Sequence, residues 1–120
     1  DNLHARYLIN DACVKLGKPF VYGSICEFSG QVSVFNYQNG PTYRDLFEYN
    51  DEIENFSQPL GVIGALPGIV GSLQANEAIK IILEKPGVLS GKLLTIDILN
   101  NTYLTFAIRK KERGEESLFK

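Results

Sequence analysis

Two stretches of helical periodicity and two of strand alternation place this chain among α/β proteins, with two main helices packed on a largely antiparallel or mixed sheet. The helical stretches are "DNLHARYLINDACVKLG" at the start and "GVIGALPGIVGSLQANEAIKIILEKPG" past the middle. The alternating stretches are "GQVSVFNY" and "KLLTIDILNNTYLTFAIRK". Sheet and helices of this length fit one domain, since the chain has 120 residues, of which 44% are hydrophobic and 22% charged.

Each element follows from its residues. Asp1 or Asn2 can cap the first helix, because a short side-chain oxygen accepts an unpaired N–H of the first turn. Leu8, Ile9, Ala12, Cys13 and Leu16 recur at helical spacing and form one apolar face. Gly17 follows as a residue able to take positive φ and stop the helix. "PFVYGSIC", from Pro19 to Cys26, is rich in β-formers and short enough for a strand. In "GQVSVFNY", Val32 and Val34 face one way and Gln31, Ser33, Phe35 and Tyr37 the other. Asn39-Gly40 marks a tight turn, after which Pro41 to Phe47 is expected to pair back as an irregular strand. Residues 48–60, "EYNDEIENFSQPL", are acidic and aperiodic and are read as an exposed loop.

In the second helix, Pro67 suits the first turn, where its missing N–H costs nothing. Ile69, Val70, Leu73, Ala78, Ile79, Ile82 and Leu83 form a broad apolar surface. Gln74, Glu77, Lys80 and Glu84 form a polar stripe with Lys80–Glu84 as an i,i+4 pair, and Pro86-Gly87 stops the helix. Gly64, Gly68 and Gly71 each cost about 1 kcal/mol against alanine inside a helix and permit close approach of another backbone. The last hairpin sets Leu94, Ile96 and Ile98 against Thr95 and Asp97, turns at Asn100-Asn101, and returns through Leu104, Phe106 and Ile108. "KKERGEESLFK" reads as a charged tail.

Several function classes are disfavoured at once. A net charge of −2 gives no long-range pull toward nucleic acid or an anionic membrane. The most apolar stretch, Gly61 to Leu83, is interrupted by Pro67, Gln74, Glu77 and Lys80 and is no transmembrane span; no signal peptide is expected. Two cysteines, Cys13 and Cys26, and one histidine, His4, are read as reduced thiols and a residue without a role. A cytoplasmic location is expected.

Four segments in order carry a resemblance. "DNLHARYLINDACVKLGKPFVYGSICEFSGQVSVFN" resembles the segment that opens with a DNxxxR motif in the ThiF/MoeB/HesA family, relatives of the ubiquitin-activating enzymes. "GPTYRDLF" stands where that family usually has a Cys-x-x-Cys version, and "GVIGALPGIVGSLQANEAIKIIL" resembles its glycine-rich helix. "SGKLLTIDILNNTYLTFAIRK" resembles the hairpin that follows. The similarity covers residues 1–110, with residues 111–120 as tail or linker. It implies the C-terminal part of a Rossmann-like activating-enzyme domain, whose nucleotide-binding half, with G-x-G-x-x-G, is absent from this chain. A chain opening on a helix cap is expected to be a fragment.

The resemblance implies a task. Family members use ATP and Mg²⁺ to adenylate the C-terminal glycine of a ubiquitin-like sulfur carrier, ThiS/MoaD-like, for thiamine or molybdopterin biosynthesis, and are usually homodimers. Asp1 matches the motif aspartate that holds Mg²⁺ and phosphates, and is the catalytic and metal-binding candidate; it also reads as a plain helix cap. Asn2 carries the same two readings. Arg6 matches the motif arginine and joins Asp1 and Asn2 as a cofactor-binding candidate, with a structural role as its other reading. The fragment alone is expected to be inactive; a non-catalytic carrier-binding or dimerisation module is the alternative.

The resemblance places the first pair of zinc ligands at Thr42 and Asp45, and threonine is a very poor zinc ligand, so no zinc site is expected. A cysteine that some members carry before the glycine-rich helix aligns near Phe56 or Ser57, neither of which is a thiolate. Cys26, at a strand end, is the remaining thiol with a conceivable chemical role; Cys13 is read as core.

Overall fold

The computed structural model of the protein describes residues 3–49 and 62–111. Its elements are α1 (Leu3–Leu16), β1 (Phe20–Cys26), β2 (Ser29–Phe35), α2 (Tyr43–Leu46), α3 (Ala65–Ile82), β3 (Lys92–Asp97) and β4 (Thr102–Ala107). The four strands form one antiparallel sheet in the order β1-β2-β3-β4. Two main helices on an antiparallel sheet is the arrangement read from the sequence. Most of the expected 48–60 loop, and the tail beyond residue 111, lie outside the described residues.

The sheet is covered on both faces except at β4. On one, Val32 of β2 and Ile96 of β3 pack on Leu66 and Val70 of α3. On the other, Tyr22, Phe35 and Leu93 pack with Tyr7 of α1, Tyr43 of α2 and Ile108. β2 runs through the middle, so Val32, Ser33, Val34 and Phe35 are all buried. Ser33, the polar member of that run, is satisfied by donating to the Lys92 carbonyl at 2.6 Å.

α3 comes so close to β1 and β2 that two strand residues lack side chains. A Cβ on Gly23 would collide with the Gln74 side chain, and one on Gly30 would lie 2.7 Å from Val70 Cγ2. Gly30→Ala should therefore cost about 1–3 kcal/mol through overpacking. By contrast, a Cβ on Gly71 would meet nothing within 4 Å, so Gly71→Ala should stabilise the isolated chain by about 0.5–1 kcal/mol. Urea titrations of the two variants check both signs; a stabilising Gly30→Ala would show that α3 can slide on the sheet.

Caps and turns follow their residues. Gly17 takes φ +65°, and the N–H groups of Gly17 and Lys18 return to the carbonyls of Val14 and Cys13 at 3.3 and 2.8 Å, which closes α1 in a Schellman motif. The Tyr37–Gly40 turn closes with Gly40 N–H donating to Tyr37 O at 2.9 Å. Gln38 and Asn39 both have positive φ there, as a type I′ turn requires. In the last hairpin, Asp97 Oδ1 accepts the N–H groups of Leu99 and Asn100.

Four expectations are corrected. Pro41 to Phe47 forms no strand: Tyr43–Leu46 is a single helical turn, because Asp45 reaches back to the Thr42 N–H at 2.7 Å and caps it. The apolar stripe of α1 faces outward, with Leu8, Ile9 and Leu16 exposed, and Cys13 is half-buried rather than core. α1 attaches instead through Tyr7 and Asn10, whose polar atoms hydrogen-bond Phe47 O and Tyr43 N–H. The polar stripe of α3 points partly inward: Glu77 is buried and pairs with Lys80 at 2.6 Å, taking the place of Lys80–Glu84, and also accepts the Leu89 N–H at 2.7 Å. The surface expected to be broadly apolar leaves Ile79, Ile82 and Leu83 exposed. β4 does alternate in sequence, but both its faces are exposed, Tyr103, Leu104 and Phe106 included.

Candidate functional site

Of the three residues of the DNxxxR motif, Asp1 and Asn2 lie outside the described residues and Arg6 lies within them. Arg6 sits in the first half of α1, half-buried, with its guanidinium carbon 5.9 Å from the centre of the Tyr22 ring. It borders two clefts. The larger, about 510 Å³, is lined by Tyr7, Tyr22, Gln31 and Tyr43 among others. The smaller, about 220 Å³, lies between β1 and α3, against Gly23, Pro67, Gly71 and Gln74.

The two tyrosines beside Arg6 are held as neutral phenols. Burial pushes the Tyr22 hydroxyl above its ordinary pKa, partly offset by a hydrogen bond with Ser24 and by the Arg6 charge. The Tyr22 hydroxyl donates to Gln31 Oε1 at 2.9 Å. Burial likewise raises Tyr43, against a hydrogen bond from Arg6 and its charge. Arg6 is thus anchored by phenol rings and opens on both clefts, which fits the structural reading of this residue. The carboxylate expected to hold Mg²⁺ lies outside the described residues.

Thr42 and Asp45, at the positions of the family's first thiol pair, are joined to each other. Asp45 Oδ2 accepts the Thr42 N–H at 2.7 Å and its hydroxyl at 3.3 Å, and Oδ1 accepts the Lys111 N–H at 3.2 Å. Both are buried. Cys26 is exposed at the end of β1. Burial pushes the Cys13 thiol up, away from thiolate chemistry. Phe56 and Ser57 lie outside the described residues. Among the described residues, no three His, Cys, Asp or Glu side chains are grouped to hold a metal ion.

Sequence reasoning missed the ion pair that fastens α2 to α1. Arg44 Nε and Nη2 donate to the two carboxylate oxygens of Asp11, both at 2.8 Å, a bidentate pair. The guanidinium also lies 5.0 Å from the Tyr7 ring centre and 5.7 Å from that of Tyr49. No local signal links residues so far apart in sequence. The hydrogen bond from Arg44 holds the Asp11 carboxyl below its ordinary pKa, against partial burial. Its contribution to stability is therefore complete above the unfolded value of about 3.9 and is lost as pH falls through the lower folded value. Both side chains are more than a third exposed, so solvent screening keeps the effect to about 0.5 kcal/mol. Asp11→Asn should flatten the stability profile in that acidic window and leave it unchanged in shape near neutrality, as urea titrations across pH would register. An undiminished acid slope would assign the loss to other carboxylates.

No helix among the described residues is long and apolar enough to cross a membrane. In the solved structures, Escherichia coli MccB determined with ATP superposes with a TM-score of 0.72 at 13% identity, over 91% of this chain and 35% of that one. MccB with MccA-N7isoASN gives 0.75 over 93% and 36%. At such identity the likeness shows the fold alone. Sequence relatives are much nearer. A probable molybdopterin-synthase adenylyltransferase of Pyropia yezoensis is 49% identical over 111 residues, 90% of this chain and 29% of that protein. The adenylyltransferase and sulfurtransferase MOCS3 of Dictyostelium discoideum is 46% identical over 117 residues, 95% of this chain and 28% of that protein. The chain thus spans under a third of the length of these curated relatives. Residues 1–117 match the ThiF family, and the chain belongs to it.

Proposed function

We propose that this chain is the carboxyl part of an ATP-dependent adenylyltransferase that activates the C-terminal glycine of a ubiquitin-like sulfur carrier of the MoaD type. The observation that carries the reading is the 49% identity to a probable molybdopterin-synthase adenylyltransferase, beside 46% identity to an adenylyltransferase and sulfurtransferase. The first of these names favours the molybdopterin branch over thiamine. In this reading Asp1 holds Mg²⁺ beside the phosphates, Asn2 and Arg6 face the nucleotide, and the protein works as a cytoplasmic homodimer without zinc. Magnesium would supply charge neutralisation on the leaving pyrophosphate. The position of Arg6 on the border of both clefts, beside Tyr22 and Tyr43, supports this reading of it.

A second reading, a carrier-binding or dimerisation module without chemistry, draws on β4. Tyr103, Leu104 and Phe106 are each more than half exposed on an edge strand, a surface suited to a partner. Exchange of labelled pyrophosphate into ATP separates the two readings. The full-length protein should catalyse exchange dependent on a MoaD-type carrier and fail with a ThiS-type one, and residues 1–120 alone should show none. Exchange with the ThiS-type carrier alone would move the protein to the thiamine branch. Absence of exchange from the full-length protein with either carrier would leave the binding module as the function.

A further inference from the structure

The contacts around Arg6 lead back to β2. Its guanidinium carbon lies 5.9 Å from the centre of the Tyr22 ring, and it donates a hydrogen bond to the Tyr43 hydroxyl. The two rings pack on each other with centres 5.4 Å apart. Each tyrosine is only 2% exposed. Phe35 and Phe47 enclose Tyr22 from the sides, with ring centres 5.5 and 6.2 Å away. Such packing fixes where a ring sits but constrains its tilt and its slide along the long axis less, because dispersion has no direction. A hydrogen bond at the tip supplies the direction. The Tyr22 hydroxyl has one, donated to Gln31 Oε1 at 2.9 Å. Gln31 stands opposite Ser24 in the β1–β2 register, so it shares a face with Tyr22 and meets it on the diagonal. Gln31, Tyr22, Tyr43 and Arg6 all line the larger cleft.

We propose that Gln31 is a positioning residue for Arg6, acting through the Tyr22 ring. Gln31 anchors the phenol at its tip, and the anchored ring keeps one tilt against the guanidinium. Arg6 then holds one direction on the cleft border instead of sampling its many rotamers. A long cationic side chain carries a large rotamer entropy, and fixing it beforehand lowers the ordering cost when an anionic group binds. The effect on the reaction rests on the reading of Arg6 as a residue that faces the nucleotide; the positioning itself does not.

Nitrogen relaxation of the arginine Nε–H groups, in full-length protein carrying isotope-labelled arginine, tests the positioning directly. The Arg6 signal is assigned by its loss in Arg6→Lys. Its order parameter should fall below about 0.6 in Gln31→Leu, a change of similar volume that removes the acceptor. Gln31→Glu keeps an acceptor for the Tyr22 hydroxyl and should retain the parent value. Arg44, which is held by Asp11, should be unchanged in both variants. In ATP–pyrophosphate exchange, Gln31→Leu should raise the KM for ATP about fivefold with kcat within about twofold, the scale of one weakened charge-assisted bond. A rigid Arg6 in Gln31→Leu would overturn the proposal. An equal loss of order at Arg44 would overturn it too, since that marks general loosening. If Arg6→Lys keeps the parent KM for ATP while Gln31→Leu still frees the Arg6 side chain, the nucleotide reading of Arg6 fails and the positioning stands.

Discussion

Asp1→Ala in the full-length protein is expected to lower ATP–pyrophosphate exchange by about 10³-fold, with the folded structure retained. The size follows from the role: a hard cation needs a carboxylate, and losing a metal ligand removes several kcal/mol of charge stabilisation at the transferring phosphoryl group, each 1.36 kcal/mol being about tenfold in rate. Asp1→Asn should be nearly as inactive, since the amide carries no charge to offset that of the cation. The competing role of Asp1 as helix cap makes a different prediction. Loss of a cap costs about 0.5–2 kcal/mol of stability and leaves exchange intact, and Asn serves as well as Asp. Exchange at wild-type level in Asp1→Ala, together with a lowered melting temperature, would make Asp1 a cap and remove it from the chemistry.

The second large effect concerns stability. Glu77 is buried in the C-terminal third of α3 and satisfies two donors, Lys80 Nζ at 2.6 Å and Leu89 N–H at 2.7 Å. It thereby ties the end of α3 to the segment that leads into β3. Glu77→Ala leaves an amide without its acceptor and an ammonium without its counter-charge, and should cost about 3 kcal/mol. For a domain of this size, that corresponds to a fall in melting temperature on the order of 10 °C. Glu77→Gln keeps an acceptor for Leu89 and should cost roughly half as much. Lys80 also donates to the Gly87 carbonyl at 3.1 Å and is partly exposed, so removing it is expected to be milder still. Calorimetry on the three variants would rank them; an Ala variant within 0.5 kcal/mol of the parent would mean that water replaces the carboxylate.

The periodic elements are legible in the chain: α1, α3, the strands β1 and β2, the last hairpin and the Gly17 stop follow from local pattern, whereas the β1–β2 pairing does not, and the turn expected at Asn39-Gly40 is centred one residue earlier, on Gln38-Asn39. α1 and α3 depart from expectation for one reason: an apolar side chain need not face inward, nor a charged one outward. α1 has an apolar stripe at Leu8, Ile9 and Leu16 but docks through the hydroxyl of Tyr7 and the amide of Asn10. Glu77 belongs by sequence to a solvated stripe, and only the return of Leu89 past α3 gives it a reason to be inside. Thr42-x-x-Asp45 did carry a local signal, that of a helix cap. At those positions the two residues bond each other, as the cap pattern requires. The site was less legible than the fold. The DNxxxR motif names Arg6, but its platform of Tyr22 and Tyr43 assembles from β1 and α2, and the Arg44–Asp11 pair spans two helices.

The order of the strands has a consequence for how the chain reaches this state. β1–β2 and β3–β4 each join neighbours across a short turn, so both hairpins can close locally within about 1–10 μs. β2 against β3 is different, for it aligns Gln31 with Thr95 across the whole of α2 and α3. That closure carries the loop entropy of the intervening residues and is rewarded only when Val32 and Ile96 come together under Leu66 and Val70. The β2–β3 pairing is therefore the costly closure of the fold, and α3, packed against both strands, is the element that offsets it.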